Sequence, residues 1–225
     1  FWVAALLSAL NLLLIAFRFT ETIGQKVNRS LSFTTGLHNL NKAFTHPQLR
    51  RVFLISFLFI FGFTFFTQFI QVYLIEAFAY TQSDIGKLFA FMGIWIALTQ
   101  GGIIRPVSKR FTPINTLRFS LILLATAMLA LLVPNVSWQL FLVLPFVSIF
   151  QGLTSPNITA TVSNYASSDI QGEILGINQS VSAFAQLLPP LIGGVLVGWD
   201  IRMPIFGSAF FIFMAWLVFL QLTKK

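Results

Sequence analysis

The chain has 225 residues, of which 56% are hydrophobic, 9% are charged and 27 are Phe, and its formal net charge is +8. A soluble domain is about 25% charged, so this composition belongs to a bilayer-embedded protein. Its cations gather at the ends of apolar runs, which is the pattern of membrane topology and not of a nucleic-acid surface. With no cysteine, the chain has neither disulfides nor thiolate metal sites.

A helix needs about 20 apolar residues to cross the hydrocarbon core. By that measure the sequence holds one partial and six complete spans: Phe1–Phe17, Val52–Ile75, Ile85–Ile104, Ile114–Val133, Trp138–Val162, Ile174–Trp199 and Met203–Leu222. The first run lacks the charged start of a signal peptide. It reads as a span cut at its beginning, and the chain as a fragment.

Residues 18–51 form the long connection. Phe33, Leu37, Leu40 and Phe44 recur there at helical spacing, with Asn39, Asn41 and Lys42 on the other face. This predicts either a short amphipathic helix in the headgroup region, ending near His46-Pro47, or a plain tether. His38 and His46 have no carboxylate or cysteine company and read as solvated loop residues, so no metal site is expected. Placing this connection in the cytoplasm puts twelve of the 14 cations on that side, and only Lys87 and Arg202 fall outside. The opposite orientation violates the Lys/Arg bias. Asn164 to Glu173 has no cation and is placed by its neighbours alone.

In Val52–Ile75, Thr64, Gln68 and Gln71 share one helical face among Phe63, Phe65, Phe66 and Phe69. Gln100 to Arg118 then makes a basic turn with four cations, Arg105, Lys109, Arg110 and Arg118, and no acid. Gly101 and Gly102 are expected to let the incoming helix pack closely on a neighbour, and Pro106 to end that helix. Asn135-Val-Ser137 matches a glycosylation triplet of a kind that arises often by chance. In Trp138–Val162, Ser148, Gln151 and Ser155 form a second stripe followed by Pro156-Asn157, and Pro145 and Pro156 are expected to kink or break the helix. In Ile174–Trp199, Asn178, Ser182 and Gln186 form a third stripe beside Gln179. Gly172, Gly176 and Ser180, and again Gly194 and Gly198, are small residues at fourfold spacing that invite close helix approach.

Interhelical hydrogen bonding accounts for any single Ser or Thr in these spans. Three stripes containing five Gln or Asn point instead to a water-accessible central cavity, because polar groups inside a membrane need partners or water. Gln68, Gln71, Asn157, Gln179 and Gln186 are its candidate lining residues. All six acids (Glu21, Glu76, Asp84, Asp169, Glu173 and Asp200) lie at span ends or in loops. Glu76 is the local candidate for a titrating group, or an interfacial cap beside Tyr73 and Tyr80.

Two stretches carry a family resemblance. Gly101-Gly102, two apolar residues, then Arg105-Pro106-x-Ser-Lys109-Arg110-Phe resembles the degenerate second copy of the signature loop of the major facilitator superfamily, in the form found in multidrug and tetracycline efflux antiporters. Gln171-Gly-Glu-Ile-Leu-Gly176-Ile-Asn-Gln-Ser180, followed by Pro190-x-x-Gly-Gly194, resembles the start of the eleventh helix of the same group. Pro189-Pro190 departs from that group's usual Gly-Pro, which keeps the break but changes local freedom.

The resemblance implies an all-α membrane protein: a six-helix bundle over residues 52–225, the C-terminal half of a twelve-helix fold. Before it come a partial sixth helix (1–17) and a cytoplasmic interdomain loop (18–51). It implies a multi-pass protein of the bacterial inner membrane with a cytoplasmic C-terminus. The function implied is proton-coupled efflux of an amphipathic drug-like compound, with Trp95 as an aromatic wall of the binding site. It requires the N-terminal half as partner, no cofactor and no nucleic acid, and a coupling carboxylate in that other half. A non-transporting membrane scaffold is the competing reading; with no acid or His at depth, an enzyme is not expected.

Overall fold

A computed structural model of the chain describes residues 2–18, 41, 43, 45, 49–165 and 170–223. The chain divides into two compact units, residues 1–33 and residues 34–225. In the first, helix α1 (Trp2–Arg18) runs for 17 residues, with Arg18 in its last turn, where a cation complements the helix dipole. The amphipathic pattern of Phe33, Leu37, Leu40 and Phe44, the histidines His38 and His46, and Lys224 and Lys225 lie outside the described residues.

Among its described residues the second unit holds six helices long and apolar enough to cross a membrane: α2 (Arg50–Phe78), α3 (Gln82–Arg110), α4 (Pro113–Ala130), α5 (Ser137–Asn164), α6 (Gln171–Trp199) and α7 (Met203–Thr223). They extend the expected spans by a few residues at most ends. Part of the connection before α2 belongs to this unit: Ala43 and Leu49 are buried in its core, and the Thr45 hydroxyl donates to the Asn41 carbonyl at 2.7 Å.

The turns carry standard chain-reversal chemistry. α2 ends on Ala79, whose φ of 53° is left-handed. Two residues later Thr81 caps α3 in a capping box, its side chain accepting from the Asp84 N–H while the Asp84 carboxylate accepts from the Thr81 backbone. Between α3 and α4 only Phe111 and Thr112 are non-helical. Thr112 caps α4 by accepting from the Asn115 N–H, and Pro113 takes the first helical position, where its missing donor is harmless.

This corrects the expected basic turn. Pro106 does not end α3, which continues to Arg110 after a π turn at Thr99–Ile103. A proline ring presses on the carbonyl four residues back, here Gly102, and cannot donate to it. The widened turn, in which the Ile104 N–H reaches the Thr99 carbonyl, absorbs that conflict without breaking the helix. Likewise α5 runs unbroken through Pro145 and Pro156, and α6 through Pro189 and Pro190.

The expected glycine contacts also fall elsewhere. At Gly101, Gly102, Gly172, Gly176, Gly194 and Gly198 a side-chain carbon would meet nothing within 4 Å. Among the described residues these faces are open, and no helix closely approaches them. The close approaches use Gly62, where a side-chain carbon would lie 2.9 Å from the Ser208 carbonyl on α7; Gly152, where it would lie 3.1 Å from Thr99 on α3; and Gly193, where it would fall on the Phe69 ring of α2. Spacing alone could not separate the two sets, because it says nothing about which face has a neighbour.

α2 is the central helix, 56% buried over its most apolar window against 17% for α3. Phe53, Phe66, Leu88, Leu121, Met128, Val147, Val181 and Phe219 are fully buried around it. On its other side Phe61 meets Phe211 of α7 edge-on at 4.5 Å, and Phe65 stacks on Phe211 at 6.0 Å. A few polar contacts fix the helices' register. Arg51 donates to the Gln221 carbonyl at the end of α7 (3.2 Å), Trp216 Nε1 to the Arg118 carbonyl of α4 (2.9 Å), and Thr154 of α5 to Ser120 of α4 (2.9 Å).

Candidate functional site, a neutral polar cavity

Three helices, α2, α5 and α6, enclose a cavity of about 420 Å³. On α2 the lining residues Ser56, Ile60, Thr64 and Thr67 recur every three or four residues, with Phe59 and Phe63 beside them. α5 contributes Gln151, Ser155, Ile158 and Thr159, and α6 contributes Asn178, Gln179, Ser182 and Gln186. Ser56, Thr64, Asn178 and Ser182 are buried and form the floor, while Thr159, Gln179 and Gln186 are exposed at the lip. The bundle end where α2 and α6 begin and α5 finishes carries Arg50 and Arg51. At 1.5 Å per residue, the lining runs from about 8 Å to about 25 Å from that end, through the middle of the spans.

Among the described residues, no ionisable side chain lines the cavity. Its polarity comes from amides and hydroxyls, and several of these have no hydrogen-bond partner among the described residues. Ser56 Oγ, Gln151 Oε1 and Asn178 Oδ1 are buried without a hydrogen bond, as are Ser148 Oγ and Ser208 Oγ away from the cavity. A buried acceptor left unpaired costs on the order of 1–3 kcal/mol, so the three cavity atoms call for donors from water or a bound molecule. Two other hydroxyls are satisfied locally: Thr64 donates to the Ile60 carbonyl and Ser182 to the Asn178 carbonyl.

Of the residues singled out from sequence, Gln179 and Gln186 line this cavity, as do Thr64, Gln151, Ser155, Asn178 and Ser182 from the three stripes. Gln68 and Gln71 are exposed and lie outside it. Gln68 is turned about 100° from Thr67, and Gln71 lies about one turn beyond the lining. Asn157 donates its amide back to the Leu153 carbonyl at 2.7 Å and does not line the cavity. Trp95 sits on α3, which contributes no lining residue; its ring meets Phe91 edge-on. Arg105, Pro106, Lys109 and Arg110 are exposed on the last turns of α3, and Pro190 is exposed on α6. Ser56, Thr67 and Thr159 were missed, although Ser56 and Thr67 extend the line of Thr64 at helical spacing. No group of three or more metal-ligating side chains occurs among the described residues.

A membrane bundle with a polar cavity at mid-depth between apolar helices has the architecture of a small-molecule transporter. Residues 1–190 match the family model of the Major Facilitator Superfamily, and the chain belongs to that superfamily of membrane transporters. Its relatives include mouse major facilitator superfamily domain-containing protein 10, 28% identical over 216 residues, covering 85% of this chain and 46% of the relative. Multidrug resistance protein 1 of Bacillus subtilis is 28% identical over 162 residues, covering 71% of this chain and 41% of the relative. The quinolone resistance protein NorA of Staphylococcus aureus is 27% identical over 146 residues, or 65% of this chain and 37% of NorA. The crystal structure of the human organic anion transporter MFSD10 (TETRAN) superposes on 97% of this chain and 56% of its own, with a TM-score of 0.81 at 21% identity. The chain therefore spans about half the length, or less, of the curated relatives it matches.

Proposed function

We propose that the chain is the C-terminal half of a secondary transporter that exports an amphipathic compound by alternating access, coupled to protons. The observation that carries this reading is the neutral cavity, with unpaired Ser56, Gln151 and Asn178 oxygens on its floor and Phe59, Phe63, Ile60 and Ile158 in its walls. Apolar walls supply contact area and a few acceptors orient the ligand, which suits a molecule with an apolar body and a donor group. The drug-resistance relatives support efflux of such compounds.

The exposed lip of Thr159, Gln179 and Gln186 would be unfavourable against lipid, so a second six-helix half covers it and completes the pathway. No carboxylate lines the cavity, so the proton-coupling acid resides in that other half. The basic end of the bundle faces the cytoplasm of a bacterial inner membrane.

The test uses the full-length protein. Gln151→Leu and Asn178→Leu should each weaken transport of a fluorescent amphipathic drug about tenfold, the loss of one well-placed hydrogen bond. Gln68→Leu, outside the cavity, should leave transport near wild type. Unchanged efflux in both cavity variants at normal expression would reduce the cavity to a packing feature, whereas absence of any efflux from the wild-type full-length protein would favour the scaffold reading.

A further inference from the structure

A second groove, separate from the polar cavity, runs between α4 and α7. It encloses about 490 Å³ and is walled by Ile122, Thr126 and Leu129 of α4 and by Phe206, Phe210 and Phe213 of α7. Leu129, Phe206 and Phe210 are exposed in helices that cross the membrane, so the groove opens towards hydrocarbon. Its basic end is different in chemistry. Arg118 lies one turn before Ile122 on the same face of α4, and Trp216 follows Phe213 on α7, their rings stacked at 5.6 Å. The Trp216 indole N–H donates to the Arg118 carbonyl at 2.9 Å, which pins the two residues together across the helices. The Arg118 side chain is exposed and forms no ion pair among the described residues.

The dimensions select an occupant. From Arg118 to Leu129 the helix rises about 16 Å, close to half of the ~30 Å hydrocarbon core, which is one leaflet. A fixed cation beside an interfacial indole marks headgroup level. An apolar channel one leaflet long leads inward from it. We propose that this groove is a binding site for an anionic phospholipid, with the headgroup phosphate on Arg118 and one acyl chain laid along Ile122, Leu129 and Phe210.

The site is tested on the purified protein in detergent by native mass spectrometry, titrating phosphatidylglycerol and phosphatidylcholine separately. Wild-type protein should retain phosphatidylglycerol about fivefold better, the ratio set by one surface cation attracting anionic lipid. Arg118→Gln should remove that preference and Arg118→Lys should keep most of it. Thr126→Trp fills the groove from an exposed position and should lower retention of both lipids. Arg105→Gln, a cation on α3 with no part in this groove, should change nothing. The proposal is overturned if Arg118→Gln keeps the preference, or if Arg105→Gln loses as much, which would indicate a diffuse cationic surface. Full retention in Thr126→Trp would equally remove the acyl-chain site, and this variant decides the matter alone if Arg118→Gln does not fold.

Discussion

Gln151, Asn157 and Asn178 are three amides within the spans, yet only Gln151 and Asn178 present an unpaired oxygen to the cavity; Asn157 is turned onto its own helix through the Leu153 carbonyl. Residue type marks polar potential, while rotation about the helix axis decides its use. The same holds for glycine. Gly62 is pressed on the Ser208 carbonyl and Gly176 faces open space, although both sit in apolar helices with small-residue patterns. Gly62→Ala should destabilise the bundle by about 1–3 kcal/mol through overpacking against a backbone atom that cannot move aside. Gly176→Ala should be neutral or stabilise by up to about 1 kcal/mol, because alanine is the better helix former. Thermal unfolding in detergent would compare the two; equal melting temperatures would contradict the packing described for α2 and α7.

At the scale of elements, the α2–α3 connection sets two opposing effects side by side. Thr81→Ala removes the capping side chain of α3 and should cost about 1 kcal/mol. Ala79→Gly relieves a left-handed residue that bears a Cβ and should gain about 1 kcal/mol. Melting temperatures of the single variants should therefore move in opposite directions, and a fall in Ala79→Gly would show that its methyl group contributes packing that outweighs the strain. The end of α3 teaches a related lesson. Pro106 reads locally as a stop, but the π turn at Thr99–Ile103 lets the helix continue to Arg110. Thr99 is fully buried against Gly152 there and donates to the Trp95 carbonyl at 2.7 Å. Packing of Thr99 on Gly152 at the start of the turn thus supports a helix that proline propensity alone would end.

For the whole molecule, orientation and completeness are the open predictions. Single cysteines at Arg110 and Asn135 probe opposite ends of the bundle. In intact cells a membrane-impermeant maleimide should label position 135 and spare position 110; the reverse pattern would invert the proposed topology. The 225-residue chain expressed alone should show no drug efflux, and co-expression of an N-terminal half should restore efflux that a protonophore abolishes. Proton-driven efflux by the chain alone would refute the two-half reading and direct attention to Glu76 as the titrating group. The six spans, their short connections and the polar stripes were legible in the sequence. Hydrocarbon demands about 20 apolar residues per helix and leaves every polar side chain conspicuous. What the tertiary structure alone decided was which polar residues converge and which glycines touch. Gln186 lines the cavity and Gln71 does not, and Gly62 meets a neighbour while Gly176 does not. Periodicity places residues on a helix face, but only the packing of α2 against α5, α6 and α7 determines what that face meets.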